Sequence, residues 1–301
     1  MRISTNTIYQ TAVSKINSLQ AEQSKLQQQI ATGKRIQAPS DDPVAASRVL
    51  ELSQSQNINA SYGENRKVAE TRLGDLDISL SSITELLTSV RTNLVGSAGT
   101  LSMGERSALA TQLSSAFDTL LGFANTRDAA GNYLYAGFNN KTVPFTATAT
   151  GATYNGDNNQ QLLQVDAHRQ MAVNATGDSV FQASGNDVFN TFSTLITLLN
   201  NPAASASTVT TGVASALSSI DSAISTVAVT RSTVGSRLNE LDSLNDVGSS
   251  RELQYAQAMS VLQDVDYAEA LSAVTQKQTI LAAAQKSFVT TTGLSLFDYI
   301  K

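Results

Sequence analysis

Few side chains in this 301-residue chain can do chemistry, and their spacing narrows the options further. There is no Cys and a single His, His168, so disulfides, thiolate zinc sites, a cysteine nucleophile and multi-His metal centres are all excluded. His168 follows Asp166 closely, but no nucleophile motif accompanies the pair, and a catalytic triad needs all three roles. The spacing predicts an exposed histidine on a strand or turn. Asp41-Asp42 offers two adjacent carboxylates to a cation, yet Pro43 directly behind them favours a helix start. Asp157-Asn158-Asn159 begins like a calcium loop but lacks the EF-hand spacing and its closing Glu, which leaves a turn. Asn59-Ala60-Ser61, Asn140-Lys141-Thr142 and Asn174-Ala175-Thr176 match the glycosylation pattern, which is too short to be specific. Residues 132–200 hold no convergent Asp/Glu/His set, so a hydrolytic enzyme is disfavoured. No catalytic, cofactor-binding or metal-binding residue is expected.

Charge points the same way. With 20 Lys+Arg against 25 Asp+Glu the net charge is −5, which leaves no electrostatic footprint for nucleic acid. No apolar run approaches the ~18 residues of a membrane span, so membrane insertion is not expected. Met1-Arg2-Ile3-Ser4-Thr5-Asn6-Thr7 has no apolar core of a Sec-type signal, and composition alone makes cytoplasmic residence the default.

What remains is packing, and the prolines organise it. They stand only at 39, 43, 144 and 202, which leaves two long Pro-free stretches able to hold extended helices. Tyr9, Ala12, Ile16, Leu19, Gln23, Leu26 and Ile30 step by 3 and 4, a heptad seam. Gly33 is placed to end that helix in a left-handed cap, with Lys34 and Arg35 beside the negative helix end. Lys34-Arg35 serves equally as a solvated cap or as a grip on an acidic neighbour. Asp42 as N-cap with Pro43 at the first helical position opens a second helix. Its seam runs through Ala69, Leu73, Leu76, Leu80, Ile83, Leu87, Val90 and Leu94, it ends near Gly96 and Gly99, and residues 43–95 as one helix would measure roughly 80 Å. Ser102 and Glu105 form a capping box for a third helix, with Leu109, Leu113, Ala116 and Leu120 on one face, fading towards Gly131.

Residues 132–186 change character. Tyr133–Phe138 reads as strand-like; Phe145–Thr148, Thr153-Tyr154 and Leu162–Val165 read as short strands, with Asn155-Gly156 as a turn between them. A short amphipathic helix follows with Val188, Phe189, Phe192, Leu195, Ile196 and Leu199. Then Val213, Leu217, Ile220, Ile224, Val227, Arg231, Val234, Leu238 and Leu241 form another seam, whose one polar member, Arg231, is expected to pair with a carboxylate of another helix. Gly248-Ser249-Ser250 is a potential weak point, with Ser249 and Glu252 able to restart the helix. Asp266 and Glu269 mark a last start, and Tyr267, Leu271, Val274, Gln278, Leu281, Gln285 and Phe288 form its seam, a face that Ile280 and Ala284 can also share. A short apolar tail follows Gly293.

The terminal seams match in length, as do the two long helices inside them, so antiparallel pairing is expected. The fold class is mainly α: an elongated antiparallel bundle or coiled coil formed by both chain ends, with a small inserted β domain. Residues 1–42 with 264–301 form a terminal coiled-coil domain, 43–131 with 187–263 a helical core, and 132–186 the insert. The N-terminal seam holds only Ile16, Leu19, Leu26 and Ile30 as strong core residues, too few to offset the conformational entropy of ordering the helix. The termini are therefore expected to be disordered in a free monomer and to fold against partner subunits.

Ala31-Thr32-Gly33-Lys34-Arg35-Ile36-Gln37-Ala38-Pro39-Ser40-Asp41-Asp42-Pro43-Val44-Ala45-Ala46 closely resembles the N-terminal signature of bacterial flagellins and their junction relatives. Thr230–Asn239 resembles the family's C-terminal core helix, and Asp264–Ala270 the start of its terminal helix. The resemblance covers roughly 1–140 and 205–301. Proline after the paired aspartates, the run Gly131–Phe138 followed by Val143-Pro144-Phe145, and the tail Leu296-Phe297-Asp298-Tyr299 favour the junction branch over a filament subunit.

The resemblance implies a structural, non-enzymatic protein. It would be exported through the flagellar type III apparatus with the help of a chaperone, and would sit outside the cell at the hook–filament junction. Its implied partners are copies of itself in a ring, a hook-side junction protein and flagellin. The two terminal seams would be its assembly interface, so composition's cytoplasmic default is replaced by a secreted one. A divergent flagellin is the alternative that the same ends allow, and copy number in a filament preparation separates the two.

Overall fold

The structure, a computed structural model, describes residues 5–97, 99 and 101–293. The tail after Gly293 and the first four residues lie outside the described residues. Contacts gather the chain into two units, Met1–Ile58 with Ser250–Lys301, and Asn59–Ser249.

The terminal unit contains α1 (Thr5–Thr32), the first part of α2 (Pro43–Gly96), the last part of α6 (Ala206–Gln263) and α7 (Tyr267–Gly293). The sequence signals act as read. Gly33 has φ +71°, the left-handed conformation that ends α1 without a Cβ penalty. Asp42 Oδ1 accepts from the Ala45 amide at 3.0 Å, so it caps α2 with Pro43 in the first turn. Asp266 Oδ1 takes the amides of Ala268 and Glu269 at the start of α7.

The second unit is built on the rest of α2 and α6, running antiparallel. Arg91 meets Asp221 and Arg231 meets Asp77, with Nε–Oδ1 distances of 2.5 and 3.0 Å. The α2 seam from Ala69 to Leu94, which spans both pairs, is buried throughout, as one face of a 3.5-residue period requires. On α6 the buried positions are Val209, Val213, Ala216, Ile220, Ala223, Val227, Val234, Leu241 and Gly248. Leu217, Ile224 and Leu238 flank them half-buried, so Ala216 and Ala223 share the inner face with the branched residues of the seam. Ser102 and Glu105 form the expected capping box of α3 (Met103–Ala124). Gly248-Ser249-Ser250 does not interrupt α6: Gly248 is buried and its carbonyl is occupied by Asn59.

The insert consists of two separate antiparallel hairpins, followed by α4 (Gly177–Phe181), a 3-10 turn at Ala183–Gly185, and α5 (Val188–Leu199). The first hairpin pairs β1 (Phe145–Thr148) with β2 (Gly151–Tyr154) through a turn at Ala149-Thr150. The second pairs β3 (Leu162–Asp166) with β4 (Arg169–Ala172) through Ala167-His168. The Asn155-Gly156 pair is therefore not a hairpin turn. It follows β2, and Asn155 Nδ2 bonds sideways to Thr146 Oγ1 at 2.9 Å.

Tyr133–Phe138 is not a strand either. It makes one bridge, Tyr133 to Arg127, and then turns. Gly137 at φ +67° lets the chain wrap around the Asp157 carboxylate, which accepts from the amides of Phe138 and Asn139. This local anion–amide contact competes with strand extension. Tyr135 instead drives into the core and donates to Ser79 Oγ at 2.9 Å. Phe145, Phe181, Phe189 and Tyr154 complete an aromatic cluster with ring centroids 5.1–5.6 Å apart.

Strand edges are covered by side chains. Asn125 donates to and accepts from Phe145 on β1, and Gln182 bonds the Ala152 carbonyl on β2. Asn65 and Arg66 take the Gln164 and Val165 carbonyls of β3, and Arg237 takes that of Ala172 on β4. Side-chain caps of this kind block edge-to-edge pairing with another chain.

Candidate functional site

The residues that the sequence singles out for assembly lie on α1 and α7, and the two helices pack antiparallel. Tyr9 and Phe288 stack at one end with ring centroids 5.2 Å apart. Glu22 and Lys277 pair at 2.5 Å midway. At the far end the Arg35 amide donates to the Gln263 carbonyl at 2.7 Å, and the Val265 amide to the Gly33 carbonyl at 3.0 Å.

On α1 the seam packs in the expected phase. Leu19 is buried; Ala12, Ile16, Gln23, Leu26 and Ile30 are half-buried; Tyr9 is exposed apart from its ring contact. On α7 the inner face is shifted by one position along part of its length. Val274, Leu281 and Phe288 face inward as expected, but Ala270, Lys277 and Ala284 occupy the places expected for Leu271, Gln278 and Gln285. Those three are exposed, as is Tyr267. A heptad contains two adjacent seams, and the small side chains Ala270 and Ala284 let α7 lie closer to α1 than Leu271 and Gln285 would. The apolar residues Leu271, Ile280 and Val289 are left on the solvent side, between 41% and 68% exposed.

The segment joining α1 to α2 is held by charge. Asp41 accepts from Lys25 Nζ at 2.6 Å and from the amides of Gln37 and Ala38. These bonds, Lys25 foremost, pull its carboxyl from the ordinary 3.8 down to about 2. Asp42 is lowered chiefly by the Ala45 amide, with Arg35 adding to it, and Glu22 by Lys277. Arg35 also donates to the Leu262 carbonyl at 2.8 Å, so its guanidinium ties the two chain ends together within this unit.

The other chemistry-bearing residues are scattered. His168 sits exposed on the turn between β3 and β4. Asp157 is occupied by three backbone amides in a turn. Asn59 and Asn174 are buried at 7% and 8% exposure, which closes two of the three glycosylation motifs in the folded chain. Among the described residues no three His, Cys, Asp or Glu side chains gather as a metal site would require. Arg231 pairs with Asp77, as expected of the polar member of its seam.

Two buried polar positions escape sequence reasoning. Arg66 and Asn59 continue the α2 seam backward from Ala69 at heptad spacing and are buried. The spacing signal is present, but their polar identity argues against a core place.

A pair of terminal helices, a long two-helix core and a small β insert together define a flagellin-type chain. Residues 3–140 match the bacterial flagellin N-terminal helical region and residues 217–299 the C-terminal helical region. The chain is 36% identical to flagellar hook-associated protein 3 of Escherichia coli strain K12, across 100% of both chains. It is 34% identical to the protein of the same name from Salmonella typhimurium, across 99% of each. Among solved structures, a Vibrio parahaemolyticus chain assigned to the flagellar hook-associated proteins superposes with a TM-score of 0.69 at 25% identity, covering 74% of this chain and 99% of that one. The flagellar junction protein FlgL from Legionella pneumophila shares the fold, with a TM-score of 0.61 at 20% identity over 72% of this chain and 100% of that one. The chain belongs to the flagellar hook-associated protein 3 family, within the bacterial flagellins.

Proposed function

We propose that this chain is a structural adaptor of the bacterial flagellum that joins the hook-side junction protein to the flagellin filament. The full-length identity to flagellar hook-associated protein 3 carries this reading, because it spans both ends and the insert together. Assembly runs through the terminal helices, with copies of the chain in a ring. Leu271, Gln278 and Gln285 remain part of that interface, since an exposed second seam on α7 is what a neighbouring copy would meet. Residues 1–42 with 264–301 line the inner layer, 43–131 with 187–263 form the wall, and 132–186 project outward. The protein is not an enzyme; its chemistry is helix packing. It reaches the flagellum through the type III export apparatus, with a chaperone on the C-terminal helix.

Deleting the gene tests this reading. Hooks without filaments, with flagellin monomers shed into the medium, are expected. Filaments of normal length in the deletion strain would overturn it.

A further inference from the structure

The apolar seam of α2 changes chemistry at one end. From Leu94 back to Ala69 the seam positions are apolar and buried, but the next two buried positions on that face are Arg66 and Asn59, at 4% and 7% exposure. Arg66 joins three elements. Its Nε donates to Asn245 Oδ1 on α6 at 2.7 Å, and its Nη1 to the Val165 carbonyl on β3 at 3.0 Å. Asn65 beside it donates to the Gln164 carbonyl at 2.8 Å. One helical layer further along, Asn59 Nδ2 donates to the Gly248 carbonyl at 2.9 Å, while Asn59 Oδ1 is buried with no hydrogen-bond partner.

Gly248 makes the layer possible. A Cβ there would overlap the Arg66 guanidinium. The glycine therefore serves as a seat for a buried cation, not as a weak point in α6.

Burial changes at this layer. Residues 46–58 of α2 and 250–263 of α6 contain no fully buried side chain, whereas buried positions recur from Asn59 onward and up to Gly248. An apolar seam can open layer by layer, each layer exposing a similar area. A buried guanidinium shared among three elements cannot open that way. Losing any one acceptor leaves a buried charge short of hydrogen bonds, so the layer opens as a whole or not at all.

We propose that the Arg66–Asn245–Gly248–Val165 layer is a fraying stop. Opening that begins in the uncovered segments 46–58 and 250–263 ends at this layer, and the core from Ala69 to Leu94 stays closed. The device lets the chain keep loose ends without unfolding its core. It rests on the local geometry and does not depend on the proposed adaptor role.

Hydrogen exchange on the full-length soluble chain tests it, comparing the unchanged protein with Arg66→Met, Gly248→Ala and Leu87→Ala. In the unchanged protein, protection should rise in a step at residues 59–66 and 245–248. Arg66→Met should speed exchange about tenfold at 59–68 and 241–249 and leave 76–94 and 220–234 within about threefold. Gly248→Ala should do the same, because its methyl group displaces the guanidinium. Leu87→Ala, a plain core truncation, should instead lower protection along the whole seam. If Arg66→Met does not fold, Gly248→Ala and Arg66→Lys decide the matter by the same pattern. Uniform acceleration through Leu94 in the Arg66 and Gly248 variants, or none at 59–68, would overturn the proposal.

Discussion

The phenol oxygen of Tyr267 stands 3.1 Å from the point where a Cβ on Gly33 would lie. The cap that ends α1 thus also lies against the start of α7. Two constraints meet at one glycine: a left-handed φ of +71°, and the tip of Tyr267 at 3.1 Å. Gly33→Ala should destabilise the terminal unit by about 1–3 kcal/mol, the cost of a non-glycine residue in that region plus the contact. In the assembled protein, where the terminal helices are protected, exchange rates in α1 and α7 should rise while those of the α2 seam hold.

The terminal helices should be the first part of the chain to exchange. Leu19 is the only buried side chain of α1 among the residues whose burial is described, and α7 buries only Ala270 and Val274. So little burial does not offset the ordering cost of two helices in an isolated monomer. Rapid amide exchange at 5–40 and 264–293 is expected in the monomer, with protection on assembly. Slow exchange there in the monomer would contradict the expectation.

Acid should weaken the terminal unit. Asp41 has a folded-state carboxyl near 2 against an ordinary 3.8, so in that window the folded chain holds fewer protons than the unfolded one. Its contribution is complete above 3.8 and is lost as pH falls through about 2. Asp42 and Glu22 are shifted in the same direction and add to the trend. The groups are exposed, so salt should reduce the effect. Thermal melts of the assembled protein across this range should show a shallower pH dependence in Asp41→Asn than in the unchanged protein.

The Arg231–Asp77 pair should contribute little despite its place on a core seam. Both side chains are about one-third exposed, at 36% and 37%. A double-mutant cycle with Arg231→Ala and Asp77→Ala should return a coupling of about 0.2–1 kcal/mol. A coupling of several kcal/mol would mean the pair is far drier than its exposure implies.

Phe145 is the opposite case. It is 1% exposed and touches Tyr154, Phe181 and Phe189 at once, joining the first hairpin to α4 and α5. Phe145→Ala should cost about 3–5 kcal/mol in urea unfolding. Loss of near-ultraviolet dichroism from the cluster should accompany it.

Local signals were enough for the helices. Gly33, the Asp42–Pro43 pair, Ser102 with Glu105, and Asp266 act within one turn of the residues they cap, so their meaning is contained in neighbouring sequence. The uninterrupted α2 seam was legible for the same reason: periodicity declares which face is buried without naming the partner. The terminal signatures likewise carried the family. Tyr133–Phe138 was misread because its deciding partner, the Asp157 carboxylate, arrives from 19 residues beyond Phe138.

Tertiary structure decided what depends on the surface facing each element. Whether α7 turns Leu271 or Ala270 towards α1 is a choice between two adjacent seams of one heptad, and only the opposing helix makes it. Burial of Arg66 needs a missing Cβ at Gly248 and carbonyls on β3, none of them near it in the chain. A residue's own type states its cost of burial; whether that cost is met depends on groups the fold brings from elsewhere.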